Sequence, residues 1–163
     1  MPTIETKFFG IVSYAEESAV LFPQGLPAFE EERGFVLIDA PEGAPLVFLQ
    51  SLARAGLCFL AIPILSIDSS YQLAIAPEDL EDLGLNADCQ PLLGTDVSVL
   101  ALVSVRDGFL ASANLMAPLV LNVRTGRGLQ AIRRDSRYSH EHPLAPLAEV
   151  QATEGTRPAE TAC

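Results

Sequence analysis

The chain has 163 residues, of which 49% are hydrophobic, and it carries a formal net charge of −11. A chain of this length is typical of one domain, and the apolar content suffices for a sizeable core. No apolar run reaches the ~18 to 20 residues that a membrane-spanning helix needs. The N-terminus also lacks the basic start and apolar centre of a signal peptide, so we expect a cytoplasmic protein without a membrane partner.

The negative charge is concentrated in the first three quarters of the chain. Residues 1–120 hold four basic residues and sixteen carboxylates, a net charge of −12, whereas residues 121–163 have a net charge of +1. Such an acidic surface repels nucleic acid, because proteins bind nucleic acid largely by neutralising its phosphates. It would instead attract a basic protein partner, although acidity that only maintains solubility is the plainer interpretation.

Short runs rich in Phe, Val, Ile and Leu dominate the chain and predict a series of strands. These runs cover residues 6–12, 19–22, 35–39, 46–52, 57–62, 71–75, 97–106, 119–123 and 128–133. Gly, Pro and Asp separate them, and the pairs Asp107-Gly108 and Thr125-Gly126 have the composition of hairpin turns. The pattern predicts a mainly all-β fold, a small antiparallel β-barrel-like domain or closed sandwich.

One short helix is predicted at residues 77–83. Pro77 stands at an early helical position, carboxylates follow it in the first turn, and Gly84 follows the last turn. Each feature favours a helix of this polarity. Leu80 and Leu83 are three residues apart, so they share a face that can pack on the sheet.

The chain is expected to form one domain over residues 1–144 and a tail over residues 145–163. The tail is small and polar, with few large apolar side chains, and this composition is typical of disorder. We therefore expect it to be dispensable for folding.

The sequence contains no recognisable catalytic, cofactor or metal motif. His140 and His142 could supply two metal ligands, but a third ligand at suitable spacing is missing. No nucleophile motif is present, and the glycines at 126 and 128 do not open a helix as a nucleotide-binding fingerprint would. We predict a protein that is not an enzyme and that holds no cofactor or metal.

Two segments stand out in the sequence without matching any catalytic, cofactor or metal motif: residues 22–30 and residues 113–122. The first contains Gly25-Leu26-Pro27 between Phe22 and Phe29-Glu30, and reads as a loop with a defined path, since proline fixes φ and glycine allows positive φ. The second contains Ala113-Asn114-Leu115-Met116-Ala117-Pro118 and leads into a strand, where Asn114 and Asn122 can satisfy backbone groups at its ends. The alternating residues 119–123 suit a strand with one buried face.

Both segments resemble the FliW family of bacterial flagellar assembly factors. That family shows Phe, then Gly-Ile/Leu-Pro, a small residue and Phe-Glu near its start, and Ala-Asn-Leu-x-Ala-Pro-Ile/Leu-Val-Ile/Leu-Asn near its end. Further matches at residues 35–37, 48–51 and 59–60, at Tyr138 and at residues 142–144 keep the same order and spacing. The resemblance therefore extends over roughly residues 3–144.

The resemblance implies a small β-barrel-like protein without enzymatic activity, and we expect a monomer when the protein is free. It implies two mutually exclusive partners, flagellin before its secretion and the RNA-binding translational repressor CsrA. While flagellin occupies the factor, CsrA represses flagellin translation; once flagellin is secreted, the factor captures CsrA. From the residues alone, a small β-barrel enzyme or ligand carrier with an apolar cavity is the alternative function.

The resemblance does not specify the partner-binding residues, so we predict them from residue chemistry. Exposed carboxylates at Glu30, Glu31, Glu32 and Asp107 would attract basic CsrA. Apolar walls for an amphipathic flagellin helix would come from two places: Gly25, Leu26 and Pro27, and Leu115, Met116 and Pro118. The competing interpretation is that Leu26 and Met116 are core residues that contact no partner.

Overall fold

The computed structural model describes residues 1–39, 45–105, 110–135 and 137–144. The tail predicted at 145–163 and the turn predicted at Asp107-Gly108 lie outside these residues. The strands are β1 Thr3–Thr6, β2 Gly10–Ser13, β3 Ala19–Leu21, β4 Gly34–Asp39, β5 Val47–Ser51, β6 Cys58–Pro63, β7 Val97–Ser104, β8 Ser112–Ala113, β9 Leu119–Asn122, β10 Gly128–Gln130 and β11 His142–Pro143. The single α-helix of the described residues, α1, spans Pro77–Asp82, and short 3₁₀ turns occupy Glu16–Ser18 and Ile64–Ser66.

Nine of these strands form one antiparallel sheet, which confirms the predicted mainly β fold. Seven of them follow the order β10-β9-β7-β6-β5-β4-β3, with β8 beside β7 and β11 beside β8, while β1 and β2 form a separate hairpin. The edge strands β3 and β10 approach each other without a continuous ladder. An isolated bridge joins Leu21 to Arg127, and the Leu21 N–H donates to the Gly126 carbonyl at 2.8 Å. The sheet is thus strongly curled but is not a closed barrel.

Two predicted strands differ in the structure. Residues 6–12 are not one strand, because the chain turns between β1 and β2. The Thr6 hydroxyl donates to the Gly10 carbonyl at 2.8 Å and accepts the Phe9 N–H at 2.9 Å, and Gly10 has a φ of 67°. Residues 71–75 join no ladder, because a side chain takes the place of a neighbouring strand. The Gln90 amide accepts the Ile75 N–H and donates to the Ile75 carbonyl, both at 2.9 Å.

Side chains pack on both faces of the central strands, in two core clusters. What we term the helix cluster contains Leu80 and Leu83 of α1 with Val97, Val99 and Val120. The barrel cluster, on the opposite face, contains Phe22, Leu26, Phe35, Leu100, Leu119 and Leu121. Because successive strand residues face opposite sides, β7 and β9 contribute to both clusters. The expectation of one buried face for residues 119–123 is therefore wrong, since all four residues of β9 are buried.

The helix predicted at residues 77–83 is confirmed as α1, and its end follows the local signals in the sequence. Gly84 has a φ of 77°, its N–H bonds the Glu81 carbonyl, and the Leu85 N–H bonds the Leu80 carbonyl, which is the Schellman arrangement. Leu80 and Leu83 are fully buried, as predicted. Within the described ranges, no helix is long and apolar enough to cross a membrane.

Candidate partner-binding surface

The segment that follows β3 forms a tightly bonded loop with one path. The Gly25 N–H donates to the Phe22 carbonyl at 2.9 Å, and the backbones of Leu26 and Phe29 exchange hydrogen bonds of 3.3 and 2.7 Å. Gly25 has a φ of 67°, and a Cβ at this position would collide with the backbone of Glu30. Only glycine fits there, so the sequence-based interpretation of a loop with a defined path is confirmed.

This loop is anchored by apolar side chains, and Leu26 is one of the anchors. Leu26 is 2% exposed and belongs to the barrel cluster, as does the fully buried Phe22. The Phe22 ring packs edge-on against Phe35 at 5.5 Å, and the Phe29 ring packs against Phe59 at 5.4 Å. The structure thus favours the core interpretation of Leu26, while the neighbouring Pro27 is exposed.

The acidic turn after the loop is only partly exposed. Glu30 and Glu31 are exposed as expected, but Glu32 is 7% exposed, so its predicted exposure is wrong. Its carboxylate pairs with Arg54 at 3.0 Å and accepts the Ser51 hydroxyl at 3.3 Å. A buried carboxylate needs such partners, so Glu32 ties the turn to the β5–β6 connection. Asp107, the fourth predicted carboxylate, lies outside the described residues.

Helix α1 adds carboxylates that sequence reasoning used only as helix-start signals. The Gln24 side chain donates to the Asp82 carboxylate at 2.7 Å and links the loop directly to α1. Burial, together with repulsion from Glu78 and Asp82, raises the pKa of Asp79. The run of acidic residues at 78–82 is visible in the sequence, but only the fold shows that it adjoins the loop.

The segment before β9 is held mainly by polar backbone contacts. The Asn114 side-chain oxygen accepts the N–H groups of Met116 and Ala117 at 3.1 and 3.0 Å. Asn122 donates to the Leu83 carbonyl at 2.8 Å and accepts the Arg124 N–H at 3.0 Å. The structural interpretation of both asparagines is therefore confirmed.

The two predicted apolar walls do not form one open groove. Leu115 is 2% exposed and belongs to the helix cluster, on the sheet face opposite to the cluster that contains Leu26. Pro118 is also fully buried, whereas Met116 is half-buried. Among the predicted residues that the structure describes, those with side chains accessible to a partner are thus Pro27, Glu30, Glu31 and, in part, Met116. Contact between these residues and a partner stays a prediction.

A buried arginine also holds the segment before β9, and the sequence analysis did not identify it. Arg133 is 5% exposed, and its guanidinium lies 4.8 Å from the Tyr138 ring centroid and 5.6 Å from that of Tyr71. It donates twice to Asp135, at 2.9 and 2.8 Å, and this contact lowers the pKa of the Asp135 carboxyl. The backbone N–H of Arg133 donates to the Met116 carbonyl at 2.9 Å. Nothing in the sequence distinguishes Arg133 from its exposed neighbour Arg134.

The histidines occupy the end of the described domain. His142 pairs with Ala113 and Pro143 with Ser112, so the last strand closes onto β8. In the described part of the chain, no three His, Cys, Asp or Glu side chains come together as a metal site would require.

Comparison with known proteins decides the family. The family model described as FliW protein matches residues 3–144 of the chain. The chain belongs to the FliW family. The match covers every element of the described fold, from β1 to β11.

Relatives in the FliW family match this chain over nearly their whole length. A protein from Syntrophomonas wolfei subsp. wolfei named flagellar assembly factor FliW is 32% identical over 158 residues, which are 96% of this chain and 97% of the relative. The protein of the same name from Bacillus subtilis is 31% identical over 142 residues, 86% of this chain and 95% of the relative. A crystal structure of the flagellar assembly factor FliW superposes with a TM-score of 0.76 at 34% identity, covering 89% of this chain and 98% of the solved one.

Proposed function

We propose that this protein is a flagellar assembly factor that binds flagellin before its secretion and, alternatively, the translational repressor CsrA. Membership of the FliW family over residues 3–144 supports this function most strongly, because relatives named flagellar assembly factor cover 86 to 96% of the chain. The family is one of assembly factors rather than of enzymes.

In the proposed mechanism, the factor connects flagellin secretion to flagellin translation. When flagellin accumulates in the cytoplasm it occupies the factor, and CsrA is free to silence flagellin messenger RNA. When flagellin has been secreted, the factor captures CsrA and translation resumes. Control by two mutually exclusive partners requires only one binding protein and no catalysis. This agrees with a chain whose sequence carries no catalytic motif.

The charge of the surface supports CsrA as a partner. A repressor that binds messenger RNA must present basic groups to phosphates. This chain has a net charge of −11, and Glu30 and Glu31 are exposed beside a loop that is hydrogen-bonded to the acidic helix α1. Complementary charges of this kind accelerate association and favour one partner over others.

Calorimetric titration of the full chain with purified flagellin and, separately, with purified CsrA tests the proposal. We expect saturable binding of each, with a dissociation constant below about 10 μM, which corresponds to roughly 7 kcal/mol of binding free energy. If neither protein binds saturably with a dissociation constant below about 10 μM, the proposed function is refuted.

The contribution of the acidic turn is tested by a matched pair of double variants. Glu30→Gln with Glu31→Gln removes two exposed charges beside the loop, and Glu16→Gln with Glu17→Gln removes two exposed charges from the 3₁₀ turn before β3. Since both variants have the same net charge, only position differs. We expect the first variant to slow CsrA association measured by stopped flow more than the second at low salt, with the difference shrinking as salt screens it. Equal rates for the two variants would assign the effect to net charge alone.

A further inference from the structure

A groove separate from the loop at residues 22–30 lies between two segments that belong to no strand. One wall is the segment 73–76, which leads into α1, and the other is the continuation of β10 at residues 132–135. The cavity between them is about 630 Å³ and is lined mainly by apolar groups of Leu73, Ala74, Ile75 and Ile132. Its volume lies within the range of ~300 to 1,000 Å³ that is usual for ligand pockets.

The first wall has unpaired backbone groups. Both backbone groups of Ile75 are satisfied by the Gln90 side chain, at 2.9 Å each. The Gln72 N–H donates to the Tyr138 hydroxyl at 3.1 Å, and the Gln72 carbonyl accepts from Arg133. Between these anchors, the backbones of Leu73 and Ala74 have no hydrogen-bond partner in the described part of the chain. Extended backbone with free N–H and C=O groups is a template for another strand.

The second wall, beyond the end of β10, also has unpaired backbone groups. The N–H groups of Ala131 and Arg133 donate to the carbonyls of Pro118 and Met116, both at 2.9 Å, which extends the β9–β10 pairing. Because backbone groups alternate sides along a strand, those of Ile132 point away from that pairing. The Ile132 backbone has no hydrogen-bond partner among the described residues, and its side chain is 58% exposed.

The end of the groove beside α1 is acidic. Pro77, the first residue of α1, lines the groove, and Glu78 and Asp79 follow it. The positive charge of Arg134 is paired with Glu78 at 2.9 Å, and that of Arg133 with Asp135 at 2.8 Å. Helix α1 carries four carboxylates and no basic residue, so it leaves net negative charge beside this end of the groove. Burial and repulsion from Glu78 and Asp82 raise the pKa of Asp79, and Arg134 opposes this shift. A cation placed there would reduce the repulsion among these carboxylates.

We propose that this groove binds an extended segment of a partner protein, with apolar side chains at alternate positions and a lysine or arginine at the end beside α1. The segment would add a strand to one or both unpaired edges, and its alternate side chains would cover Ile132 and the apolar wall. A helix would leave the two edges unpaired, because its backbone hydrogen bonds are internal. The inference is independent of the proposed function, since it specifies the chemistry of the segment and not the protein that carries it.

Amide hydrogen exchange, followed by NMR on the full chain, tests the groove directly. The probe is a seven-residue peptide with valine at alternate positions, threonine between them and a lysine at each end; its counterpart carries glutamate at both ends. In the free protein we expect fast exchange at Ile132 and at one or both of Leu73 and Ala74. The lysine-ended peptide should slow these amides by about tenfold or more, and the glutamate-ended peptide should bind more weakly.

Two substitutions with a matched control locate the peptide. Ile132→Arg places a charge in the groove and should weaken binding of the lysine-ended peptide by about tenfold, the value of a lost apolar contact. Val123→Arg is the control, because Val123 is 54% exposed and lies outside the groove lining. Asp79→Asn should weaken the lysine-ended peptide more than the glutamate-ended one.

Four outcomes would overturn the inference. Slow exchange of these amides in the free protein at any dilution would mean that the chain itself covers the groove. Protection that rises with protein concentration without peptide would mean that a second copy fills it. Equal weakening by the two arginine variants would place the peptide elsewhere. Tighter binding of a helix-forming peptide with the same lysine ends would exclude an extended occupant.

Discussion

Replacement of Leu26 by alanine separates a core role from a partner-binding role. Leu26 is 2% exposed and packs in the barrel cluster with Phe22 and Phe35. Leu→Ala changes in cores cost about 2 to 5 kcal/mol, and the cost is high where the surroundings cannot collapse into the cavity. Here the backbone is pinned, because Gly25 lies directly against Glu30. We therefore expect a loss of about 3 kcal/mol in the free energy of unfolding for Leu26→Ala.

For a chain of this size, each kcal/mol lowers the melting temperature by roughly 2 to 4 °C, so Leu26→Ala should melt about 6 to 12 °C earlier. Thermal unfolding by circular dichroism measures the shift. Leu21→Ala is the control, because it removes the same atoms from a side chain that is 49% exposed. Affinity for flagellin, measured well below both melting temperatures, should be retained. A melting temperature within about 2 °C of the unaltered protein would refute the core assignment.

Three further predictions follow from local geometry. Gly10→Ala should cost about 1 to 2 kcal/mol for its left-handed φ, whereas Gly25→Ala should cost about 1 to 3 kcal/mol more because the new Cβ collides with backbone; equal losses in urea unfolding would argue against the close approach at Gly25. Arg133→Gln should cost about 1 to 3 kcal/mol, because it removes charge-assisted hydrogen bonds of a buried guanidinium, whereas Arg134→Gln, at a side chain 84% exposed, should stay within about 0.5 kcal/mol; similar melting temperatures for the two variants would contradict this. The folded-state pKa of Asp79 is raised, so ionisation of Asp79 lowers stability as pH rises through that folded value. Asp79→Asn should accordingly melt higher than the unaltered protein at pH 7, and the advantage should vanish near about pH 3, where the carboxyl is protonated in both states; an advantage that persists there would show another cause.

Those parts of the fold that depend on local chemistry were predictable from the sequence. The start and end of α1 follow from Pro77, the acids after it and the left-handed Gly84. The turn at Thr125-Gly126 connects β9 and β10 as predicted, with Gly126 at a φ of 74°. The segment at 71–75 has the composition of a strand, but it pairs with no strand. The backbone of Ile75 bonds instead to the side chain of Gln90, fifteen residues away.

The candidate surface was less predictable, because burial of a charged residue depends on distant residues. Glu32 reads as solvated in a run of acids, and only the fold brings Arg54 and Ser51 to it. Leu26 and Leu115 both read as available apolar residues, and only the two-faced sheet assigns them to separate clusters. Family motifs drew attention to these two segments, but they did not show which side chains in them face solvent.

The proposed exchange of partners is tested most directly by adding CsrA to the preformed complex with flagellin and measuring the masses of all species by light scattering. We predict that each partner binds alone and that CsrA in excess displaces flagellin, so that the two binary complexes are seen and no ternary complex forms. A stable complex of all three proteins would contradict mutually exclusive binding and, with it, the proposed control of flagellin translation.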